Sequence, residues 1–110
     1  MSREHNLGAV EQIPLGEGRE FEIDGRLIAV FRPRLAVASE EGVATLYATQ
    51  ARCPHKEGPL VDGLLGGGVV ICPFHSWKFD LASGLPVLGD CGLVTYAVRE
   101  TEGGEILVVV

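Results

Sequence analysis

The chain lacks any long stretch in which a helix of ordinary length could form. Its 15 glycines and six prolines are spread so evenly that the longest segment without either covers only residues 43–53. Glycine and proline are the residues that helix interiors tolerate least. The spacing therefore argues against a helical bundle and favours short strands joined by turns.

The sequence is also poor in positive charge and in long apolar runs. Nine Lys and Arg stand against 15 Asp and Glu, a net charge of −6, which argues against a nucleic-acid partner because phosphates require clustered basic residues. No segment approaches the ~20 consecutive apolar residues that span a bilayer, and no apolar stretch follows Met1. We therefore expect a cytoplasmic chain with no membrane partner, whose acidic surface suits steering toward a protein.

Cysteine is too scarce, and odd in number, for a closed disulfide framework. A short secreted chain usually carries an even set, whereas this one has only Cys53, Cys72 and Cys91. The first two each lie close to a histidine, which points to metal binding. Cys91 has no such neighbour and is expected to be a small buried side chain. His5 lies near the N-terminus and is expected in a frayed tail.

The segments between the turn residues look like strands. Residues 21–23 and 26–31 flank Asp24-Gly25, a pair typical of two-residue β-hairpin turns. Two further hairpins are predicted, one pairing residues 35–39 with 43–49 and one pairing 93–99 with 105–110, and Gly66-Gly67-Gly68 is expected at a hairpin tip. Turns spaced roughly every 8–12 residues are typical of a sandwich or barrel. The sequence thus predicts one all-β domain over residues 1–110, an antiparallel β sandwich or barrel.

The middle of the chain differs from both ends. Residues 51–88 are rich in turn residues and contain every Cys-His pair and the only tryptophan. We expect this segment to form a subdomain that carries the site, mounted on a basal β subdomain built from residues 8–50 and 89–110. A loop-rich insert on a strand-rich scaffold is the usual layout of a functional site.

Two short segments each combine a cysteine with a histidine. They are Cys53-Pro54-His55 and, after sixteen intervening residues, Cys72-Pro73-Phe74-His75. Each places a thiolate and an imidazole within one tight turn, and proline restricts the backbone there. Zinc accepts these donors, although its usual spacing groups two cysteines together and two histidines together. Mixed turns also suit a site with two different irons, so the residues alone leave open both a zinc-binding interaction module and an iron site.

The full pattern resembles the Rieske 2Fe-2S family. The matching phrases are Cys53-Pro54-His55-Lys56-Glu57-Gly58-Pro59-Leu60 and Cys72-Pro73-Phe74-His75-Ser76-Trp77-Lys78-Phe79-Asp80. The resemblance implies a Rieske-like fold with a loop-rich cluster-binding subdomain, and a 2Fe-2S cluster in which two cysteines hold one iron and two histidines the other. The ligands that it implies are Cys53, His55, Cys72 and His75. It also implies a one-electron carrier with no active site of its own, serving as a component of an oxidoreductase system.

Two groups within that family are similar to this chain. Residues 27–32, 56–60 and 77–81 resemble the small subunit of cytoplasmic NAD(P)H-dependent nitrite reductase, which is the function that the sequence favours. The size and the acidity resemble the Rieske ferredoxins that feed ring-hydroxylating dioxygenases. Those ferredoxins, like this chain, also lack the extra cysteine in each cluster loop that forms a disulfide in high-potential relatives. The partners implied are redox proteins: an NAD(P)H-dependent reductase or nitrite reductase large subunit, or alternatively an oxygenase.

The residues that follow His75 predict a low reduction potential. High-potential relatives carry a serine and a tyrosine where this chain has Trp77 and Phe79, which offer no hydroxyl and are expected to pack beneath the loop. Fewer hydrogen bonds to the sulfurs leave the reduced state less stabilised. We expect a redox titration to give a midpoint of about −150 mV, at the low end of the Rieske range. A clearly positive midpoint would contradict this reasoning.

Overall fold

The structure, a computed structural model, describes residues 3–34, 37–39, 42–54, 58–66, 68–73, 77–88 and 91–110. Within these ranges the chain forms thirteen strands and two short 3-10 helices. The strands are β1 Glu4–Ala9, β2 Glu17–Ile23, β3 Arg26–Arg32, β4 Val37–Ser39, β5 Gly42–Ala44, β6 Tyr47–Gln50, β7 Leu64–Gly66, β8 Val69–Ile71, β9 Lys78–Asp80, β10 Pro86–Leu88, β11 Thr95–Tyr96, β12 Val98–Glu100 and β13 Glu105–Val109. The 3-10 helices are η1 Val10–Gln12 and η2 Leu60–Asp62.

The strands assemble into antiparallel sheets, which confirms the all-β prediction. The central sheet has the order β11-β6-β3-β2, and a three-stranded sheet has the order β1-β13-β12. A second four-stranded sheet, β10-β9-β8-β7, is built wholly from the middle of the chain, and β4 pairs with β5 alone. In the described part of the chain, no helix is long and apolar enough to cross a membrane.

Strand β3 shows how the sheets stack, because its four apolar residues 28–31 are buried on both faces of the strand. Successive side chains of a strand point to opposite faces. Ile28 and Val30 accordingly enter one buried cluster, whereas Ala29 and Phe31 enter another. A continuous apolar run is typical of a strand covered on both sides. The central sheet therefore lies between two cores.

We call these two clusters the basal core and the site core. The basal core joins the central sheet to β13, and its buried members are Val10, Ile13, Ile23, Ile28, Val30, Leu46, Ala48, Ile106 and Val108. The site core joins the central sheet to β8 and β9, and its buried members are Ala29, Phe31, Tyr47, Ala51, Cys53, Leu60, Val70, Cys72, Phe79, Leu81 and Leu93. Burial of these side chains supplies most of the cohesion between the sheets.

The hairpin predicted at Asp24-Gly25 is confirmed. Ile23 pairs with Arg26, and both turn residues have positive φ values, 52° and 79°. That combination gives the type I′ turn whose twist suits paired strands. The hairpin around the glycine triplet is also confirmed, since Gly66 pairs with Val69, although Gly67 lies outside the described residues.

Two predicted hairpins are only partly correct. Residues 43–49 do not form one strand, because β5 pairs with β4 whereas β6 joins the central sheet beside β3. Residues 93–99 divide in the same way, with β11 pairing with β6 and β12 with β13. Tyr47 and Ala48 of β6 enter opposite cores because successive side chains of a strand alternate. Burial of β6 on both faces of the central sheet outweighs the local hairpin pairing.

The expectation that His5 lies in a frayed tail is wrong. His5 belongs to β1 and pairs with Val108 of β13. Its Nε2 lies 3.7 Å from the Asp24 Oδ2 at the tip of the first hairpin. The partners that order His5 are distant in sequence, so no local signal indicates them. The division into two subdomains stays a prediction, and β1 begins ahead of the boundary expected at residue 8.

Candidate metal centre

The first cysteine opens a short loop at the end of β6. The backbone N–H of Cys53 donates to the carbonyl of Gly58 over 2.9 Å, and Leu60 donates to Ala51 over 3.1 Å. An isolated bridge between Arg52 and Pro59 lies between these two bonds. The two sides of this loop therefore form a short antiparallel ladder, and Cys53 lies at the end of the ladder where the loop begins.

The second cysteine opens a similar loop between β8 and β9. Ile71 pairs with Lys78 as the last step of the ladder between these strands. The N–H of Cys72 then donates to the carbonyl of Trp77 over 2.7 Å. At both cysteines, a hydrogen bond from the backbone N–H of the cysteine closes the loop that begins there.

The two cysteines are buried in the same cluster of side chains. Cys53 is 0% and Cys72 1% exposed, and both belong to the site core. Phe79 is fully buried there and Trp77 packs against the cluster, with their ring centroids 6.3 Å apart. The prediction that these two aromatic residues pack beneath the loop is confirmed.

The histidines of the predicted site, His55 and His75, lie outside the described residues. Among the residues that are described, no three His, Cys, Asp or Glu side chains form a group that could hold a metal ion. The structure therefore brings the two predicted sulfur ligands into one core and leaves the two nitrogen ligands as a prediction.

The described half of the site suits an iron-sulfur cluster. Two thiols at the inner ends of adjacent loops are soft donors of the kind that Fe–S clusters require. An apolar wall that includes Leu60, Val70 and Phe79 excludes water from the sulfur side, which limits solvent access to a bound cluster. The residues thus fit the group.

Cys91 is exposed, so the expectation of a buried side chain is wrong. The neighbouring Leu93 takes the buried position instead, because its N–H donates to the Gly84 carbonyl over 2.6 Å and its side chain enters the site core. Cys91 is therefore set apart from the two buried cysteines.

Tyr47 places a phenol in the site core, where it interacts electrostatically with Asp80 at the end of β9. Burial raises its pKa above the usual value, and the negative charge of Asp80 raises the pKa further. The Asp80 carboxylate is itself fixed at the end of β9, where its Oδ2 accepts bonds from the N–H and the hydroxyl of Ser83. Tyr47 therefore stays protonated and neutral across the physiological range.

Comparison with known proteins decides which metal group this site holds. Residues 4–93 match the family model of the Rieske [2Fe-2S] domain. The chain belongs to the Rieske [2Fe-2S] domain family. Its cofactor is accordingly a Rieske-type 2Fe-2S cluster and its role is that of an electron carrier. The zinc site that the residues alone left open is not the site of this family.

Among curated proteins, the chain is similar to the ferredoxin component of a naphthalene 1,2-dioxygenase system from Pseudomonas putida. The two are 30% identical over 90 residues, which cover 82% of this chain and 80% of that protein. Other matches cover less of the relative: the chain spans 56% of ferredoxin CarAc from Metapseudomonas resinovorans and 18% of 4beta-methylsterol monooxygenase from Methylococcus capsulatus.

Solved structures of two kinds share the Rieske fold of this chain. The ferredoxin of carbazole 1,9a-dioxygenase from Nocardioides aromaticivorans IC177 superposes with a TM-score of 0.77 at 26% identity, covering 96% of this chain and 95% of that one. A protein described as the small subunit of an NADH-dependent nitrite reductase, from Mycobacterium tuberculosis, superposes with a TM-score of 0.82 at 22% identity. That match covers 100% of this chain and 96% of the other.

Sequence reasoning missed some residues that shape the Rieske site, among them Gly63. This glycine links η2 to β7 and has a φ of −82°, which any residue can adopt. The need is for space: a Cβ there would overlap the carbonyl oxygen of Ile71, the residue before Cys72. A close approach between segments distant in sequence leaves no local signal, whereas Tyr47 could have been noticed as an aromatic in an apolar strand.

Replacing Gly63 by alanine is therefore expected to displace the backbone at the start of the second loop. We expect G63A to destabilise the protein by about 1–3 kcal/mol, the usual cost of overpacking, or roughly 5–15 °C in melting temperature. Gly66 provides a matched control, because a Cβ there would meet nothing within 4 Å. Circular dichroism melts of G63A and G66A would test this, and equal melting temperatures would contradict it.

Proposed function

We propose that the chain is the ferredoxin component of an oxygenase system, carrying one electron at a time from a reductase to an oxygenase. The observation that carries this proposal is the 30% identity to a dioxygenase ferredoxin, over 80% of that protein's length. The likeness to a nitrite reductase small subunit, at 22% identity, supports only a shared fold. The partner is therefore proposed from the sequence relatives.

In the proposed site, Cys53 and Cys72 bind one iron and His55 and His75 bind the other. When bound, the cluster supplies a centre that takes up and releases one electron. The described residues support this division, because the thiols lie at the dry, inner ends of their loops. The site core shields the sulfur side from water, and the hydrogen bonds that close the two loops hold the cysteine backbones in place.

A second candidate function is that of the small subunit of a nitrite reductase, which the sequence alone favours. The observation in its favour is the resemblance of residues 27–32, 56–60 and 77–81 to that group of proteins. Both functions use the same one-electron chemistry and differ only in the protein that receives the electron. The cytoplasmic location expected from the sequence suits both and stays a prediction.

The proposed ligands can be tested with the three cysteines. We expect C53S and C72S to lose the visible absorption of the cluster and the EPR signal of its reduced form, because a serine hydroxyl is a much poorer iron ligand than a thiolate. C91S is the matched control and should keep both signals, since Cys91 is exposed. A brown C53S or C72S protein with an unchanged EPR spectrum would refute the assignment.

The proposed partner can be tested by mixing the reduced protein, without oxygen, with two acceptors. We expect fast reoxidation by a ring-hydroxylating oxygenase of the naphthalene dioxygenase type and at least tenfold slower reoxidation by a sirohaem nitrite reductase. Stopped-flow absorbance at the visible bands of the cluster would give both rates, and C91S should reproduce the rates of the parent protein. Faster transfer to the nitrite reductase would favour the second candidate instead.

A further inference from the structure

Gln50, at the end of β6, helps to hold the neck of the first loop, residues 51–53 and 58–60, to the central sheet. Its amide Nε2 donates to the carbonyl of Arg52 over 2.8 Å. Its Oε1 accepts the backbone N–H of Val94 over 2.8 Å. Its own N–H donates to the Val94 carbonyl over 2.9 Å. Gln50 therefore joins the neck of the loop to the chain just ahead of β11.

The bond to Arg52 matters because Arg52 immediately precedes Cys53. The Arg52 carbonyl and the Cys53 N–H belong to the same planar peptide group, and the N–H donates to the carbonyl of Gly58. The bond from Gln50 to the Arg52 carbonyl therefore holds the opposite edge of that plane. With both edges held, the peptide group that leads into the Cα of Cys53 is fixed, which restricts the direction of the Cys53 side chain.

A second contact reaches the same neck but is less able to hold it. Nη2 of Arg52 lies 3.3 Å from Oε1 of Glu20 on β2, and both side chains remain partly exposed. The other carboxylate oxygen, Oε2, is buried without a hydrogen-bond partner among the described residues. Partly exposed ion pairs contribute little, whereas both amide atoms of Gln50 are used in bonds of good length.

We propose that Gln50 is a positioning residue for the cluster, acting through the Arg52 carbonyl to set the place and direction of the Cys53 sulfur. The inference rests on the proposed ligation by Cys53. It goes beyond that ligation because it states that a side chain outside both loops determines the position of the sulfur ligand. Removal of the brace should leave the cluster in place but less firmly held and in an altered environment.

The variant Q50M tests this proposal, because methionine is close to glutamine in length and offers neither the donor nor the acceptor. We expect Q50M to release its cluster to a chelator about two- to tenfold faster than the parent, the effect of losing a hydrogen bond of ordinary strength. We also expect shifted g-values in the EPR spectrum of the reduced protein. Release is followed by the loss of visible absorbance.

Gln12 provides the matched control. Its Nε2 also donates to a backbone carbonyl, that of Leu7, over 2.8 Å, in an exposed position on the other side of the central sheet. We expect Q12M to match the parent in release rate and EPR spectrum. If Q50M does not fold, Q50E takes its place, since a carboxylate can still accept from Val94 but cannot donate to Arg52.

The outcomes separate this inference from the proposed function. Parent-like release and EPR spectra in Q50M would overturn the inference, as would equal acceleration in Q12M or a lowered melting temperature with an unchanged EPR spectrum. A parent protein that binds no iron and sulfide would overturn the ligand assignment and the inference together. Failure to reduce an oxygenase, with the expected behaviour of Q50M, would count against the partner alone.

Discussion

Two backbone hydrogen bonds organise the site, from Cys53 to Gly58 and from Cys72 to Trp77. Each uses the amide of a cysteine to close the loop that the cysteine begins, so the sulfur is left at the inner end of a ladder and directed into the site core. A cysteine whose backbone is held in this way loses less conformational entropy when a ligand binds to its sulfur. The surrounding structure holds these two ladders in the same core.

The central sheet performs that task because two of its strands are buried on both faces. Strands β3 and β6 contribute side chains alternately to the basal core and the site core, so the platform beneath the loops is itself held from below. The close approach of Gly63 to Ile71 and the brace from Gln50 act on the necks of the loops. Apolar packing thus fixes the layers, and a few specific contacts fix the cysteines.

The sequence predicts those parts of the fold that local chemistry determines. Asp24-Gly25 specifies its turn, and the glycine and proline spacing specifies an all-β chain. The pairing of β6 with β3 and of β1 with β13 depends on burial between distant segments. For this reason the predicted hairpin through residues 43–49 was only partly correct, and the prediction that His5 lies in a frayed tail was wrong. No local sequence pattern indicates which of two possible sheets a strand will join.

The candidate site follows the same division. The Cys-His motif predicts the family and cofactor, since donor type and spacing are local properties that the family match confirms. Whether each cysteine is buried depends on which nearby side chain fills the core. Cys53 and Cys72 are buried, whereas Leu93 and not Cys91 occupies the core position in its segment. No sequence pattern marks Gln50 as a positioning residue, because its side chain bonds to the backbone groups of Arg52 and Val94. Every residue type has a backbone carbonyl, so such a partner leaves no trace in the sequence.

The two buried cysteines are carried by different sheets, which has a consequence for the molecule as a whole. Cys53 follows β6 of the central sheet, whereas Cys72 follows β8 of the sheet built from the middle of the chain. A metal group bound to both sulfurs acts as a staple across the layer boundary, and its binding free energy becomes part of the cohesion of the protein. Loading with iron and sulfide then stabilises the contact between the two sheets as well as supplying a redox centre.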